Sequence, residues 1–428
     1  MFRREARALL AGSVDRRRFT ADWLVNFAGL GVLAVSGLLI NTLVVRAYDS
    51  ATLGNFMLVL AIFLIVAQVA TLGVQYSILQ ASSAHGVNDE TLSSILLSGL
   101  LPAVASGVAG SVLAFAAGAL WPESELSAPL QLAAAGVAFC ALNKCLLSFL
   151  NGVHRNQAVA VLNALRPLAI LSVLVGLILA GAPGWAISVS LVIEEVVLFV
   201  AAVATITTGL DLRKGRPSLT WVSRHLSFGW RSMPGGIAAE ANTRADILVL
   251  GMFASPAQVG IYAFAQSVIE GLLQLPQITR RIIDPICARL VVEDRHDELN
   301  RISRTILRYS ASGYVVMALA AIAAYPIAIG WILRVPDADQ QWPLFCILVV
   351  GATVSATYTG FCGYLMQGGR PGVQTWLEIV LLAINTLGCL VLTPILGATG
   401  AAIGKSIAFA AHGAGLRYLI HRYLGVRL

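Results

Sequence analysis

The chain has 428 residues, of which 57% are hydrophobic and only 12% are charged. Its mean hydropathy is +0.80, whereas an ordinary soluble domain carries roughly 25% charged residues. This composition excludes a soluble globular protein, because too few polar side chains remain to cover its surface. We therefore expect an all-α integral membrane protein.

Twelve apolar segments are long enough to cross a bilayer as helices. A helix needs about 20 residues to span the ~30 Å hydrocarbon core. Runs of that order lie near 22–46, 52–80, 92–119, 128–150, 157–180, 184–207, 227–252, 258–288, 304–333, 342–366, 373–396 and 399–424. The sequence thus predicts twelve transmembrane helices.

The basic residues lie predominantly on one side of these spans. They concentrate in 1–21, 209–226, 289–304 and the C-terminal tail, whereas Arg46 and Arg334 are the basic residues of the opposite side. Cytoplasmic loops carry such an excess of Lys and Arg, so we expect both termini in the cytoplasm. The net charge of +7 is explained in this way without a nucleic-acid partner.

Short repeated phrases indicate an internal duplication. ATLGNF at 51–56 returns as AQVGIY at 257–262, and GAPGWAI at 181–187 returns as GATGAAI at 397–403. We predict a basic N-terminus (1–21), an N-lobe of six spans (22–208), a cytoplasmic linker (209–226) and a C-lobe of six spans with a short tail (227–428). Halves with an even number of spans share one orientation, so the repeats are parallel about an axis along the membrane normal.

The repeated phrase predicts a close contact between helices and an aromatic residue at the membrane interface. Gly54 and Gly260 remove a side chain and permit close approach between helices. Phe56 and Tyr262 follow two residues later, and we expect their rings to anchor at the outer membrane interface.

Enzyme chemistry is not expected. The loops on the outer side are short, which disfavours a membrane glycosyltransferase or ligase, because reactive groups are usually carried on loops. No phosphate-binding Gly-rich loop appears, the six histidines are scattered, and the six cysteines have no metal or redox spacing. We expect no cofactor, and leave coupling to Na⁺ or H⁺ open.

Three cations inside predicted spans are candidates for an internal anion site: Arg166, Arg244 and Lys144. A charge at mid-membrane costs about 2.5–3.5 kcal/mol and normally faces a cavity or a partner. Arg166 is followed by Pro167, which tends to kink a helix. For Lys144, as for Arg231, Arg280 and Arg281, the alternative is a side chain that reaches the cytoplasmic interface.

Four carboxylates are candidates for coupling or for lining the cavity: Glu240, Asp246, Glu270 and Glu194. Glu240 and Arg244 are four residues apart, so a structural pair on one helix face is the alternative. Glu194 and Glu195 point about 100° apart, so one faces the cavity and the other pairs with Arg166 or Lys144. Glu270 is either a coupling group or the structural partner of Arg244.

The stretch TRADILVLGMFASPAQVGIYAFAQSVIEGLLQLPQITRRIIDPI (243–286) resembles the seventh and eighth helices of polysaccharide-export flippases in the multidrug/oligosaccharidyl-lipid/polysaccharide exporter superfamily. Asp246, Val259-Gly260, Tyr262, Phe264-Ala265 and Pro285 fill the family pattern. Asn26 and the segment from MQGGRPG to LTPILGATGAAIGKSI are similar to the family as well. The resemblance implies two six-helix lobes around an alternately opening cavity.

By the same resemblance, the substrate is a polyprenyl-diphosphate-linked oligosaccharide, flipped across the bacterial inner membrane for exopolysaccharide or O-antigen assembly. Partners would include membrane lipids, a polysaccharide polymerase and export machinery. The lipid-linked peptidoglycan precursor is disfavoured, because flippases for it resemble a fourteen-span plan with several arginines in the first two spans. The alternative is a cation-coupled exporter of small amphiphilic drugs with the same fold.

Overall fold

The computed structural model describes residues 16–84, 88–120, 122–293 and 295–426, where the chain is helical and contains no strand. Side chains are described from residue 31 onward, with some exceptions near the end of the tenth helix and at residue 367. Most of the predicted basic segment 1–21 and the side chains of Asn26, Arg281 and Pro285 therefore lie outside the described residues.

The first half of the structure, residues 16–207, contains seven helices and a short 3₁₀ segment at Gly184–Ser188. The helices are α1 (Arg16–Ala47), α2 (Ser50–Ala70), α3 (Val74–Ala84), α4 (Asp89–Leu120), α5 (Ser127–Gly152), α6 (Asn156–Leu179) and α7 (Val189–Thr207).

The second half, residues 219–424, follows a short 3₁₀ turn at Leu212–Lys214. Its helices are α8 (Leu219–Phe253), α9 (Pro256–Leu272), α10 (Gln274–Val292), α11 (His296–Tyr325, continued by a π-helical turn at Pro326–Ile332), α12 (Ala338–Thr359), α13 (Tyr364–Gln367), α14 (Pro371–Leu396) and α15 (Ala398–Leu424).

Within the described residues, eight helical segments are long and apolar enough to cross a membrane. They are Ser50–Ala70, Asp89–Leu120, Ser127–Gly152, Asn156–Leu179, Gly184–Thr207, Asp297–Ile332, Ala338–Met366 and Pro371–Leu396. The predicted spans 227–252, 258–288 and 399–424 are not among them, and the described part of the predicted span 22–46 is the shorter apolar segment Gly31–Ala47. Charged residues interrupt α8 and α15, and the predicted span 258–288 is divided between α9 and α10.

Helix α8 begins at Leu219, inside the segment that the sequence predicts as a linker. Residues 219–226 of the predicted linker are therefore the first turns of this helix. His225 explains the difference: its ring is buried, its Nδ1 lies 2.8 Å from Ser77 Oγ and its Nε2 lies 3.1 Å from the carbonyl oxygen of Ile95. The start of α8 is thus fixed against α3 and α4 rather than solvated.

The predicted span 52–80 is also two helices, because the chain breaks at Thr71–Gly73 between α2 and α3. Leu72 and Gly73 have positive φ values of 49° and 69°, a conformation that glycine adopts without steric cost. At this break a Cβ on Gly73 would collide with the carbonyl of Gly229 in α8. The interruption lets α8 cross the first half at close range.

The turns cluster at two ends of the bundle. At the short-turn end, Tyr48 OH donates to the Ala182 carbonyl (3.0 Å), and Ser50 Oγ donates to Asp337 Oδ2 (2.7 Å). At the linker end, Ser93 Oγ donates to the Asp211 carbonyl (3.1 Å). Ser50 and Asp337 belong to different halves, so the halves are joined at the short-turn end.

The repeated glycines meet where α2 packs against α9. A Cβ on Gly54 would overlap the Pro256 carbonyl oxygen, and a Cβ on Gly260 would overlap that of Ser50. The predicted close approach is confirmed. The predicted interfacial role of Phe56 and Tyr262 is wrong, because their exposures are 4% and 0%: the tight crossing draws both rings into the core.

Candidate functional site

A cavity of about 270 Å³ lies between the two halves. Its walls come from α1, α2 and α6 of the first half and from α8, α9 and the first residue of α10 in the second. Most of the lining is apolar, with Leu33, Met57 and Ile247 as examples, whereas Arg244 and Glu270 bring charge into it. The site is therefore an apolar chamber with an ionic side.

Arg244 keeps much of its hydrogen-bonding capacity. Its Nη1 lies 3.4 Å from Glu270 Oε1, which also accepts from Gln266 Nε2 at 3.3 Å. Its Nε is buried and has no partner among the described residues. This single long contact leaves most of the five guanidinium N–H donors free. These donors form a planar fork that can bind the oxygens of a phosphate.

The expected alternative pair of Glu240 with Arg244 on one helix face is wrong. Glu240 Oε2 lies 3.2 Å from Lys144 Nζ on α5, and Lys144 Nζ also donates to Gln68 Oε1 at 2.6 Å. Two partners, on α2 and on α8, therefore hold the Lys144 ammonium. Neither Lys144 nor Glu240 is among the residues that line the cavity described above; they form an ionic contact between halves.

Arg166 and Glu195 form a fork-to-fork ion pair within the first half. Nη1 lies 3.0 Å from Oε1, and Nη2 donates to Oε2 at 3.2 Å. Asn143 Nδ2 adds a 2.6 Å hydrogen bond to the same carboxylate. The prediction that one of the adjacent glutamates pairs with Arg166 is confirmed by Glu195. Glu194 is buried, and it is Pro167 rather than Arg166 that lines the cavity.

Asp246 is not among the residues that line the cavity between the halves. It is fully buried, with Oδ1 at 3.0 Å from Lys405 Nζ and Oδ2 accepting a 2.5 Å hydrogen bond from Tyr262 OH. Lys405 also donates to the Asn242 carbonyl at 2.7 Å. Lys405 is a charged residue inside the predicted span 399–424, but its spacing from Asp246 gives no signal of contact, because the pairing joins α15 to α8.

A second cavity of about 310 Å³ lies within the second half, between α8, α10, α12, α14 and α15. Polar residues dominate its lining, among them Gln277, Gln374, Glu378 and His412. The sequence analysis missed this cavity. The one signal that could have revealed it is the spacing of Gln374 and Glu378, four residues apart in an apolar segment.

Metal chemistry finds no support in the part of the chain that the structure describes. Those residues contain no group of three or more His, Cys, Asp or Glu side chains placed to hold an ion. All six cysteines are free, and Cys346 alone is not fully buried.

Comparison with known families places these sites in context. The family model described as "Polysaccharide biosynthesis protein" matches residues 19–277, which is more than half of the chain. The chain belongs to this polysaccharide biosynthesis family. The matched region includes α2, α8 and α9, whose contacts form the junction of the halves, and it confirms the resemblance seen in the sequence. No curated protein matches the chain.

Solved structures with this fold include transporters of the MOP superfamily. The inward-facing conformation of a multidrug resistance MATE family transporter has a TM-score of 0.77 at 14% identity, covering 94% of this chain and 98% of the other. The lipid II flippase MurJ in an inward closed conformation has a TM-score of 0.73 at 13% identity, covering 93% and 87%. An outward-facing MATE family transporter gives 0.61 at 13% identity, covering 93% and 96%. The family member described here therefore has a MATE- and MurJ-like transporter fold.

Proposed function

We propose that the protein flips a polyprenyl-diphosphate-linked oligosaccharide repeat unit across the bacterial inner membrane, for exopolysaccharide or O-antigen assembly. It works by alternating access between two six-span lobes, at 22–208 and 227–428, with both termini in the cytoplasm. A polysaccharide polymerase and export machinery are its proposed downstream partners. The family and the fold support this class of function.

The observation that carries the proposal is the position of Arg244. Its guanidinium lines a largely apolar chamber between the halves and has most of its donors free. A diphosphate binds to paired guanidinium donors, and an apolar wall suits the prenyl segment next to it. Glu270 neutralises Arg244 in this state, and it is the carboxylate that an incoming phosphate would displace.

The conformation supports a cytoplasmic opening. The TM-score is higher against the inward-facing MATE structure (0.77) than against the outward-facing one (0.61). The halves are joined at the short-turn end by Ser50–Asp337 and by the crossing at Gly54. Opening toward the other side would have to separate these contacts.

The remaining candidates take different roles in the proposal. Lys144 and Glu240 join the halves and exchange partners when the halves move. Arg166 is held by Glu195 beside Pro167, so this ion pair fixes the first-half wall without adding net charge to it. Asp246 and Glu194 are buried away from the inter-half cavity, and we assign them no transport role.

The decisive experiment measures flipping of a fluorescently labelled polyprenyl-diphosphate oligosaccharide in proteoliposomes. We expect Arg244→Ala to lose about tenfold or more in rate, since a charged hydrogen bond contributes about 1.5–3 kcal/mol. Lys214→Ala, which removes an exposed lysine near the linker, is the matched control and should keep the wild-type rate.

The double variant Arg244→Ala/Glu270→Ala distinguishes phosphate binding by Arg244 from neutralisation of Glu270. If Arg244 only neutralises Glu270, removing both restores the rate; if it binds phosphate, the double variant stays slow. Wild-type flipping by both Arg244→Ala and Arg166→Ala would show that the cationic cavity is the wrong site.

The second candidate is a cation-coupled exporter of small amphiphilic drugs. The observation that favours it is Glu270, a partly exposed carboxylate on the wall of the apolar cavity, which suits a cationic amphiphile. It predicts the opposite dependence: Glu270→Gln abolishes efflux of a cationic dye from loaded vesicles, and Arg244→Ala does not.

A further inference from the structure

The second cavity adjoins the first along two consecutive pairs of residues. Thr243 lines the second cavity and Arg244 the first; Leu273 lines the second cavity and Gln274 the first. The break between α9 and α10 at Leu273 lies at this junction. The two cavities thus lie on different faces of the same turn of α8 and on either side of the same helix break.

The lining of the second cavity supplies both hydrogen-bond donors and acceptors. Gln374 Nε2 donates to Glu378 Oε1 at 3.0 Å, and Gln277 and Asn242 add further amides. The other amide atom, Gln374 Oε1, is buried and has no partner among the described residues. A buried polar atom without a partner is costly, so a ligand that donates a hydrogen bond there would stabilise it.

The charges around this cavity favour a neutral ligand. Lys405 Nζ lies 3.0 Å from Asp246, and Arg280 Nε lies 3.4 Å from Asp284, so both cations have carboxylate partners. Glu378 lines the same cavity, and its carboxylate repels a phosphate. A metal ion would lie beside Lys405 and Arg280, whose charges repel it.

We propose that this cavity binds a sugar residue of the lipid-linked substrate, while the diphosphate is held at Arg244. Sugar hydroxyls both donate and accept hydrogen bonds, which matches amides next to a carboxylate. The volume of about 310 Å³ is at the lower limit of ligand pockets and suits one sugar ring rather than a chain. This assignment rests on the proposed flippase function and deepens it: Gln374 and Glu378 select the sugar next to the diphosphate.

The test compares two probes on the full chain in lipid nanodiscs: polyprenyl diphosphate alone, and the same lipid bearing one glucose, galactose or N-acetylglucosamine. We expect at least one sugar-bearing lipid to bind about tenfold more tightly than the bare diphosphate, the equivalent of one or two neutral hydrogen bonds. Gln374→Ala and Glu378→Gln should remove this preference and leave the affinity for the bare lipid unchanged. Gln340→Ala, on an exposed side chain, is the control.

Each outcome separates the sugar site from the flippase proposal. Equal binding of the bare lipid and all three sugar-bearing lipids would overturn the sugar site and leave the diphosphate site standing. A loss of bare-lipid binding in Glu378→Gln, whose shape is nearly unchanged, would show that the cavity is structural and also overturn the sugar site. If wild type binds neither class of lipid, the proposed function fails, and the sugar site fails with it.

Discussion

Lys144 Nζ lies 3.2 Å from Glu240 Oε2, so that α5 of the first half and α8 of the second are joined by an ion pair. The two side chains are 20% and 24% exposed, and Gln68 on α2 holds the same ammonium. The pair lies in a partly desolvated place, where a charge contact is stronger than on an open surface.

We expect Lys144→Glu and Glu240→Lys each to slow transport by roughly tenfold, because each places like charges about 3 Å apart between the halves. The exchanged double variant should recover most of the loss. Flipping rates in proteoliposomes provide the measurement, with the exposed pair Lys214 and Asp89 exchanged as a control. A double variant as slow as either single one would show that the contact between these two charges does not matter.

The ion pair of Arg166 and Glu195 should be important for stability. Glu195 is fully buried and holds both Arg166 and Asn143. Removing one member of a buried pair leaves an uncompensated charge and costs about 3–5 kcal/mol. We expect Glu195→Ala to lower the thermal unfolding midpoint by many degrees, while Glu123→Ala, at an exposed position, leaves it unchanged. Equal midpoints for the two variants would contradict this.

The contact between Asp246 and Lys405 should show strong coupling in a double-mutant cycle. Asp246→Asn leaves a buried ammonium without its counter-ion, and Lys405→Met leaves a buried carboxylate, whereas the double variant leaves neither charge. We expect both single variants to be less stable than the double one. Tyr262→Phe removes one hydrogen bond to Asp246 and should cost about 1.5–3 kcal/mol. If the losses of unfolding free energy in the two single variants add up to the loss in the double variant, Asp246 and Lys405 are not coupled.

Glycine at the crossing of α2 and α9 should be required for the closed short-turn end. A Cβ at Gly54 or Gly260 has no space, since it would overlap a backbone carbonyl of the other helix. We expect Gly54→Ala and Gly260→Ala to slow transport and lower thermal stability. Gly176 in α6 has no atom within 4 Å of such a Cβ, so Gly176→Ala should be neutral or stabilise the helix by about 1 kcal/mol. Similar behaviour of all three variants would refute the steric argument.

Composition and the repeated phrases were sufficient to predict the fold class and one close contact between helices. The helical membrane fold follows from the apolar content, and the approach of Gly54 to Gly260 follows from a repeated phrase. The pairing of Arg166 with Glu195 could be predicted from the sequence, because a buried arginine needs a carboxylate and the predicted spans of the first half contain few of them.

The partners of Glu240 and Asp246 were not predictable in the same way. Both residues lie on α8, where the spacing of four favours a pair of Glu240 with Arg244, but Glu240 bonds to α5 and Asp246 bonds to α15. Pairing between helices depends on their rotation and depth, and a sequence with few polar residues gives little periodic signal for either. The same reason explains why the cavity around Gln374 was missed.

Helix α8 is bonded to both halves of the protein. Its first turns are held by Ser77 and Ile95 of the first half through His225, whereas Asn242 receives a hydrogen bond from Asn385 of α14. Pro234 lies between these two sets of contacts, inside the helix, at a residue type that weakens helices. A cut in the loop before α8 would therefore not separate the two halves, because this one continuous helix is bonded to both of them.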